Sequence, residues 1–243
     1  MTDAYGREIW DYFSGSHSQE IVERDDGYLT AGDGPARYFT GYREWLKREQ
    51  AAIRFARGRT ALDVGCGAGR VALYLQTRGF RVTAIDNSPL AIRTAKKRGA
   101  KGARLLRFED MSRLRATRFD TVVMFGNNFG LFGSYRRARR LLKQLHRMTS
   151  LRAVLIAESL DPHQTSDRAH IAYAKRNKAR GRMAGQLRIR LRYHELIGPW
   201  FEYLLVSPDE MNTVLDGTGW TRTRLIRDDS PSYFAIIEKE HAS

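Results

Sequence analysis

Residues 61–70 read ALDVGCGAGR, with three glycines at alternate positions directly after a short apolar run. The run Thr60–Val64 predicts a buried strand, and residues 69–78 predict the helix that follows it. Glycines in a strand-to-helix loop permit unusual backbone angles and remove Cβ atoms, so a ligand can lie against the main chain. The N-terminus of the helix adds free backbone N–H groups. The stretch therefore predicts a ligand-binding loop at the carboxyl end of a strand.

The alternation of strands and helices continues downstream of this loop. Further strands are predicted over 80–85, 104–108, 120–125, 153–158, 220–226 and 232–238, and helices over 89–98, 135–148 and 207–215. Continuous apolar strands separated by helices indicate a parallel sheet that is covered on both faces. We therefore expect an α/β fold built on a doubly wound, Rossmann-like sheet of seven strands.

The segments on either side of this core have a different composition. Residues 1–43 are rich in glycine, aspartate and aromatic residues and predict irregular structure with short helices, before a helix over 44–57. Residues 161–185 are polar and basic, and 186–193 alternate as a half-buried strand whose predicted antiparallel partner is 200–206. The predicted organisation is an N-terminal cap and entry helix at 1–58, a core at 59–159, an inserted hairpin and helical lid at 160–206, and a C-terminal helix with the last two strands at 207–243.

Composition limits the classes of protein. The single cysteine, Cys66, excludes an internal disulfide and a multi-cysteine metal site, and no metal centre is predicted. The apolar runs are too short to cross a bilayer, and the polar N-terminus has no signal-peptide pattern, so we expect a cytoplasmic protein without a membrane partner. The net charge is +15, and residues 136–192 hold 16 Lys and Arg against 3 Asp and Glu, a net of +13. Such a region attracts anions, although a solvated basic surface is the alternative.

The loop matches neither of two common nucleotide-binding patterns. In the dinucleotide pattern G-x-G-x-x-G counted from Gly65, the third position falls on Arg70, whose side chain would prevent close approach of the helix. The P-loop pattern fails because no Gly-Lys-Ser/Thr follows. The observed pattern is G-x-G-x-G, preceded by Asp63.

Four stretches in order resemble the motifs of class I S-adenosylmethionine-dependent methyltransferases. They are LDVGCGAGR, TAIDNSPLAIRTAKKRG, RFEDM and FDTVVMFGNNFGLF, and they lie within residues 62–132. The resemblance implies S-adenosylmethionine as the cofactor, S-adenosylhomocysteine as its product, and a methyltransferase activity. Two vicinal ribose hydroxyls are well held by one carboxylate, which by resemblance is Asp86.

The resemblance also implies roles for the other motif residues. Asp63 would interact with the methionine ammonium, Asp110 and Met111 would flank the adenine, and Tyr38 lies in a segment that often closes over the cofactor. The cofactor-binding residues expected on this basis are Asp63, Gly65, Cys66, Gly67, Gly69, Asp86, Asn87, Asp110, Met111, Gly126, Asn127 and Tyr38.

The acceptor is less defined than the cofactor. Methyltransferases that act on exocyclic amines of nucleobases carry Asn or Asp followed by Pro-Pro and an aromatic residue, and GNNFG at 126–130 departs from that pattern. We therefore expect a small-molecule acceptor with an oxygen or nitrogen nucleophile, and the acceptor can be an anion. An RNA- or DNA-modifying methyltransferase and a non-catalytic S-adenosylmethionine-binding protein are the alternatives. Candidate catalytic residues are His163 and His194 as a general base and Asn128 as a substrate contact.

Overall fold

The structure, a computed structural model, describes residues 2–114 and 118–240. The helices are α1 (Ala4–Phe13), α2 (Lys47–Ile53), α3 (Arg70–Thr77), α4 (Pro89–Lys97), α5 (Tyr135–Met148), α6 (Arg168–Ala179) and α7 (Pro208–Leu215). The strands are β1 (Ile21–Arg24), β2 (Leu29–Ala31), β3 (Thr60–Val64), β4 (Arg81–Asp86), β5 (Ala103–Leu105), β6 (Phe119–Met124), β7 (Thr149–Leu160), β8 (Gly185–Tyr193), β9 (Leu196–Ile197), β10 (Phe201–Leu205), β11 (Trp220–Arg227) and β12 (Ser232–Lys239).

The main sheet has seven strands in the order β11–β12–β7–β6–β3–β4–β5. The pairs β4–β5 and β6–β7 are parallel, whereas β12 runs antiparallel to both β7 and β11. Each residue of β3 is buried, as expected for a strand covered on both faces. The predicted α/β fold with a seven-stranded, mostly parallel sheet is confirmed.

A second sheet has the order β10–β8–β1–β2, with β9 paired to β8. The prediction of irregular structure with short helices for residues 1–43 is wrong over β1 and β2, which pair antiparallel with each other, while β1 also pairs antiparallel with β8. These strands are short, and every residue of β2 is exposed, so they carry no alternating apolar pattern. Strand β1 is held by pairing with β8, far away in sequence, and β2 is held by pairing with β1.

Three predicted elements have clearly different bounds. The strand predicted over 153–158 is lengthened to β7, Thr149–Leu160. The strand predicted over 104–108 ends at Leu105, and a 3₁₀ helix, Phe108–Arg113, occupies the following residues. The helix predicted over 44–57 is shorter because a separate 3₁₀ turn, Tyr42–Glu44, precedes it and Leu46 at its N-cap is extended. The apolar spacing there reflects burial of Trp45 and Ala52 rather than one continuous helix.

The chain forms two compact units. Unit 1 comprises Met1–Trp45, Leu62–Met111 and Arg188–Phe201, and it contains the glycine loop. Unit 2 comprises Leu46–Ala61, Ser112–Leu187 and Glu202–Ser243. Large side chains buried within unit 2 include Phe119, Phe129, Phe132, Trp220 and Phe234.

Candidate functional site

The glycine loop of unit 1 has the backbone conformation that its sequence requires. Gly65, Gly67 and Gly69 all have positive φ values, of 71°, 52° and 82°. The backbone N–H groups of Gly65 and Cys66 both donate to the carbonyl of Ile85, which fixes the loop to the end of β4. Gly69 is the N-cap of α3, and a Cβ there would lie 3.2 Å from the Cβ of Ala95. The loop thus needs glycine for conformation and for close packing.

Asp86, at the end of β4, holds the loop through its carboxylate. One oxygen accepts a hydrogen bond from Gly67 N at 2.9 Å, and the other accepts one from Ser88 N at 2.9 Å. The side chain is buried, and burial raises the pKa of Asp86 to about 6, although these backbone hydrogen bonds oppose the shift. A buried carboxylate therefore lies at the loop, where the sequence predicts a contact to ribose hydroxyls.

Asp63, at the carboxyl end of β3, is a second buried acid of the loop region. Burial raises its pKa to about 7, and the nearby charge of Asp86 contributes in the same direction. Within the described residues its Oδ2 atom has no hydrogen-bond partner. A buried oxygen without a partner is costly, so this position suits a ligand that donates hydrogen bonds or carries positive charge.

Side chains from the N-terminal segment cover the loop. A Cβ placed on Gly67 would lie 2.8 Å from the hydroxyl of Tyr5 and 3.7 Å from both Ile9 and Tyr38. Ile9 belongs to a buried cluster with Ala68 and Ala91, against which Tyr5, Tyr38 and Phe39 pack. The rings of Tyr5 and Tyr38 meet edge to face at 5.7 Å. An aromatic surface therefore faces the bare main chain of the loop.

Arg98, immediately after α4, fixes this covering segment, and the sequence analysis missed it. Its guanidinium donates to the carbonyl oxygens of Ala68, Tyr38 and Phe39 at 2.7, 2.9 and 3.2 Å. The same group lies 4.6 Å from the ring centre of Phe39. One side chain thus joins the glycine loop to the segment above it, and no motif marks it in the sequence because its partners are carbonyl groups.

A second contact holds α1 in place. Asp3 accepts hydrogen bonds from Ser88 Oγ at 2.8 Å and from Leu90 N at 3.2 Å. Gly6 permits the approach, because a Cβ there would lie 2.0 Å from Ser88 Oγ. The first turn of α1 is therefore anchored to the N-terminus of α4, next to Asp86.

The remaining sequence-predicted residues of unit 1 occupy varied positions. Asn87 is exposed, and Cys66 is buried, with burial raising the pKa of its thiol. Met111 is fully buried in the 3₁₀ helix after β5, whereas Asp110 is paired with Arg107 at 3.0 Å. His194 is exposed, has a positive φ of 50°, and contacts the ring of Tyr193 at the turn between β8 and β9.

In unit 2, the loop after β6 is held by two residues that the sequence analysis did not select. Glu158, buried near the end of β7, accepts hydrogen bonds from Gly126 N at 2.6 Å and Asn127 N at 3.3 Å. The hydroxyl of Tyr203 donates to the carbonyl of Asn127 at 2.6 Å. Asn127 has a positive φ of 60°, and Asn128 begins the following 3₁₀ helix. An isolated acid in the apolar run of β7 was the available signal for Glu158.

His163, also in unit 2, lies in an ion-pair position. Its Nε2 atom is 3.3 Å from Glu210 Oε1, and its side chain is 42% exposed. Its backbone N–H donates to Asp161 at 2.9 Å. The contact to Glu210 accounts for the orientation of the ring.

The residues of the glycine loop region fit S-adenosylmethionine better than a phosphate compound. Two buried carboxyl groups, Asp63 and Asp86, would repel a phosphate but suit an ammonium and two hydroxyls. Tyr5, Ile9 and Tyr38 lie close over Gly67, so a side chain at this position would collide with the segment that covers the loop. Over residues 2–114 and 118–240, no group of three metal-ligating side chains is present, and no helix is long and apolar enough to cross a bilayer.

Comparison with known proteins agrees with this geometry. Residues 61–150 match the family model described as a methyltransferase domain. An 85-residue stretch is 40% identical to the ubiquinone biosynthesis O-methyltransferase of Methylocella silvestris, covering 33% of each chain. A 76-residue stretch is 40% identical to the enzyme of the same name from Caulobacter vibrioides, covering 28% of this chain and 30% of that one. The chain thus aligns with about a third of the length of these curated relatives.

A solved structure extends the likeness to almost the whole fold. A SAM-dependent methyltransferase from Bacteroides fragilis, in complex with S-adenosyl-L-homocysteine, superposes with a TM-score of 0.80. It is 24% identical in sequence, and the match covers 98% of this chain and 95% of that one. The superposition, the matched methyltransferase domain and the glycine loop all indicate the same fold. Residues 61–150 thus match a methyltransferase domain, and the chain has the fold of a solved SAM-dependent methyltransferase.

Proposed function

We propose that the protein is an enzyme that transfers a methyl group from S-adenosylmethionine to a small-molecule acceptor through an oxygen or nitrogen nucleophile. The observation that carries the proposal is the bare backbone of Gly67, enclosed by Tyr5, Ile9 and Tyr38 and tied to the carboxylate of Asp86. The relatives named as ubiquinone biosynthesis O-methyltransferases support a small acceptor with an oxygen nucleophile.

The residues of unit 1 would hold the cofactor. Asp86 would accept hydrogen bonds from the ribose hydroxyls, and Asp63 would face the ammonium with its unpartnered oxygen. When bound, S-adenosylmethionine supplies an electrophilic methyl group. Tyr5 and Tyr38 would exclude water from the loop and present aromatic faces that favour a cation. The contribution of the protein is mainly alignment, which accounts for several kcal/mol in well-oriented reactions.

The loop after β6 would serve the acceptor. Glu158 and Tyr203 fix the backbone at Gly126 and Asn127. Asn128, the next residue, is the candidate substrate contact. A hydroxyl or ammonium acceptor must lose a proton, and His163 and His194 remain the candidate bases. The insertion at 160–206 is proposed as the substrate lid.

The test is turnover with matched acceptors. The purified protein is incubated with S-adenosylmethionine and a panel of phenols, aliphatic alcohols and amines, and S-adenosylhomocysteine is quantified by mass spectrometry. We expect product above the acceptor-free background with at least one class, and none with Asp86→Ala. If the small-molecule fraction of a cell extract also yields no product while S-adenosylhomocysteine binds, the protein is a non-catalytic cofactor-binding protein and the proposed activity is wrong.

A further inference from the structure

The fold neutralises part of the basic region at 136–192. Glu23 of β1 pairs with Arg190 at 2.7 Å and also with Arg192. The guanidinium groups of Arg188 and Arg190 lie 5.7 and 4.5 Å from the ring centre of Trp200. The arginines of β8 therefore have partners within unit 1, and the excess charge that remains lies on α5 and α6.

Helix α6 and its C-terminal turn carry a dense part of the remaining charge. Residues 168–182 contain six basic side chains and no acidic one, and all six are exposed: Arg168, Lys175, Arg176, Lys178, Arg180 and Arg182. Only Tyr173 and Asn177 of the helix are buried. The Asn177 amide donates to the carbonyls of Ala184 and Gln186 at 3.1 and 2.8 Å, which fixes the face that the helix turns to solvent.

Arg168, Lys175 and Lys178 share that outer face. Spacings of seven and three residues place them on one side of a helix, opposite Tyr173 and Asn177. Within the described part of the chain these three side chains form no ion pair or hydrogen bond. Arg168 also stands in the first turn, where the helix dipole disfavours a cation, and like charges three residues apart repel. Lys178 lies in the last turn, where the helix dipole favours a cation, whereas Arg168 and Lys175 gain no such contact. The outer face is therefore available to an external anion.

The composition of the outer face selects the kind of anion. Its large apolar side chain is Ile171, 39% exposed, and the helix has no exposed aromatic residue. A helix that lies in a membrane surface needs a broad apolar face with several large residues, so the face is unsuited to a bilayer. Three cations spread over about 15 Å of helix, from a rise of 1.5 Å per residue, suit a chain of regularly spaced phosphates.

Chain topology distinguishes α6 from the other basic helix. α6 follows the carboxyl end of β7, the edge of a doubly wound sheet at which ligands bind, whereas α5 ends where β7 begins. Both helices lie within unit 2. We propose that the outer face of α6 binds the phosphate backbone of a nucleic acid. The proposal adds a partner to the protein and does not depend on the identity of the methyl acceptor.

The test compares two variants that lose the same net charge. Arg168→Gln/Lys175→Gln/Lys178→Gln removes the outer face of α6, and Arg136→Gln/Arg140→Gln/Lys143→Gln removes three exposed cations of α5. Binding of the full chain to labelled 20-nucleotide single-stranded RNA and DNA is measured by fluorescence anisotropy from 50 to 300 mM KCl. Thermal melting and S-adenosylhomocysteine affinity are measured in parallel and are expected to be unchanged in both variants.

We expect the wild type to bind at least one of the two strands, with affinity falling steeply as salt rises. Loss of three phosphate contacts should reduce the slope of log affinity against log salt by about two, from roughly 0.7 per contact, in the α6 variant. The α5 variant should retain most of the slope. Equal weakening in both variants, no binding to either strand at 100 mM KCl, or binding to phosphatidylserine vesicles without binding to nucleic acid would each overturn the proposal. If the triple variant melts early, Lys175→Gln/Lys178→Gln supplies the same comparison with a smaller change in slope.

Discussion

Glu20 provides a quantitative test of how the N-terminal segment is held over the glycine loop. Its side chain is buried next to Glu8 of α1, and Glu8 Oε1 accepts a hydrogen bond from Glu20 N at 3.0 Å. Burial, followed by hydrogen bonding to Glu8 and the charge of Glu8, raises the pKa of Glu20 to about 9. The folded chain therefore keeps a proton that an unfolded chain releases near pH 4.5.

The sign and size of the effect follow from proton linkage. Between these two pKa values the folded state binds one more proton than the unfolded state, so the free energy of unfolding falls by about 1.4 kcal/mol per pH unit as pH rises. At pH 7 the free energy of unfolding is therefore lower than at acidic pH by at most about 3 kcal/mol. Glu20→Gln cannot ionise and retains a donor toward Glu8, so we expect it to be stabilised by an amount approaching that limit. The melting temperature should then rise by roughly 5 to 10 °C.

Urea and thermal unfolding of both proteins between pH 5 and pH 9 measure this effect. Glu23→Gln, in β1 and three positions after Glu20, is the matched control. Hydrogen bonds from Arg190 and Arg192 lower the pKa of Glu23 to about 2, so its contribution to stability is present above pH 4.5 and is lost as pH falls toward 2. The control should therefore be less stable than the wild type at pH 7. The reasoning is refuted if Glu20→Gln is destabilised at pH 7 or keeps the pH slope of the wild type.

Three further predictions concern the cofactor. Asp86→Ala should weaken S-adenosylhomocysteine binding about 100-fold or more in calorimetry, because two hydrogen bonds to a carboxylate are lost; an unchanged affinity would count against the role of Asp86. Gly67→Val should abolish S-adenosylhomocysteine binding, because Gly67 has a φ of 52° and a Cβ there would lie 2.8 Å from the Tyr5 hydroxyl; a normal dissociation constant would contradict this. The affinity of the wild type for S-adenosylhomocysteine should rise as pH increases through 7, where Asp63 ionises. Asp63→Asn should flatten that rise, and an equally steep pH profile in the variant would exclude Asp63 as the ammonium partner.

The core of the fold could be predicted because its information is local. Apolar runs such as Thr60–Val64 are buried on both faces, and helix caps such as Ser207 with Glu210 use neighbouring residues. The glycine loop was equally accessible, because positive φ and close packing both select glycine. These features depend on short stretches, and the structure has them where the sequence predicts them.

The parts that escaped prediction depend on distant partners. Strand β1 pairs with β8, more than 150 residues away along the chain, and β2 pairs with β1. Arg98 acts through carbonyl groups, which every residue carries, and Tyr203 acts in the same way on Asn127. Neither leaves a pattern in its own neighbourhood. Charge is also misleading in the sequence alone. Arg190 and Arg192 resemble unpaired surface cations there, but in the structure both pair with Glu23.

Calorimetric titration of the purified wild-type protein with S-adenosylhomocysteine tests the central claim most directly, with Asp86→Ala titrated alongside. The account predicts saturable binding to the wild type at one site per chain, accompanied by a rise in melting temperature, and little or no heat with the variant. Absence of both heat and thermal shift in a folded wild-type sample would contradict the assignment of the glycine loop as the cofactor site.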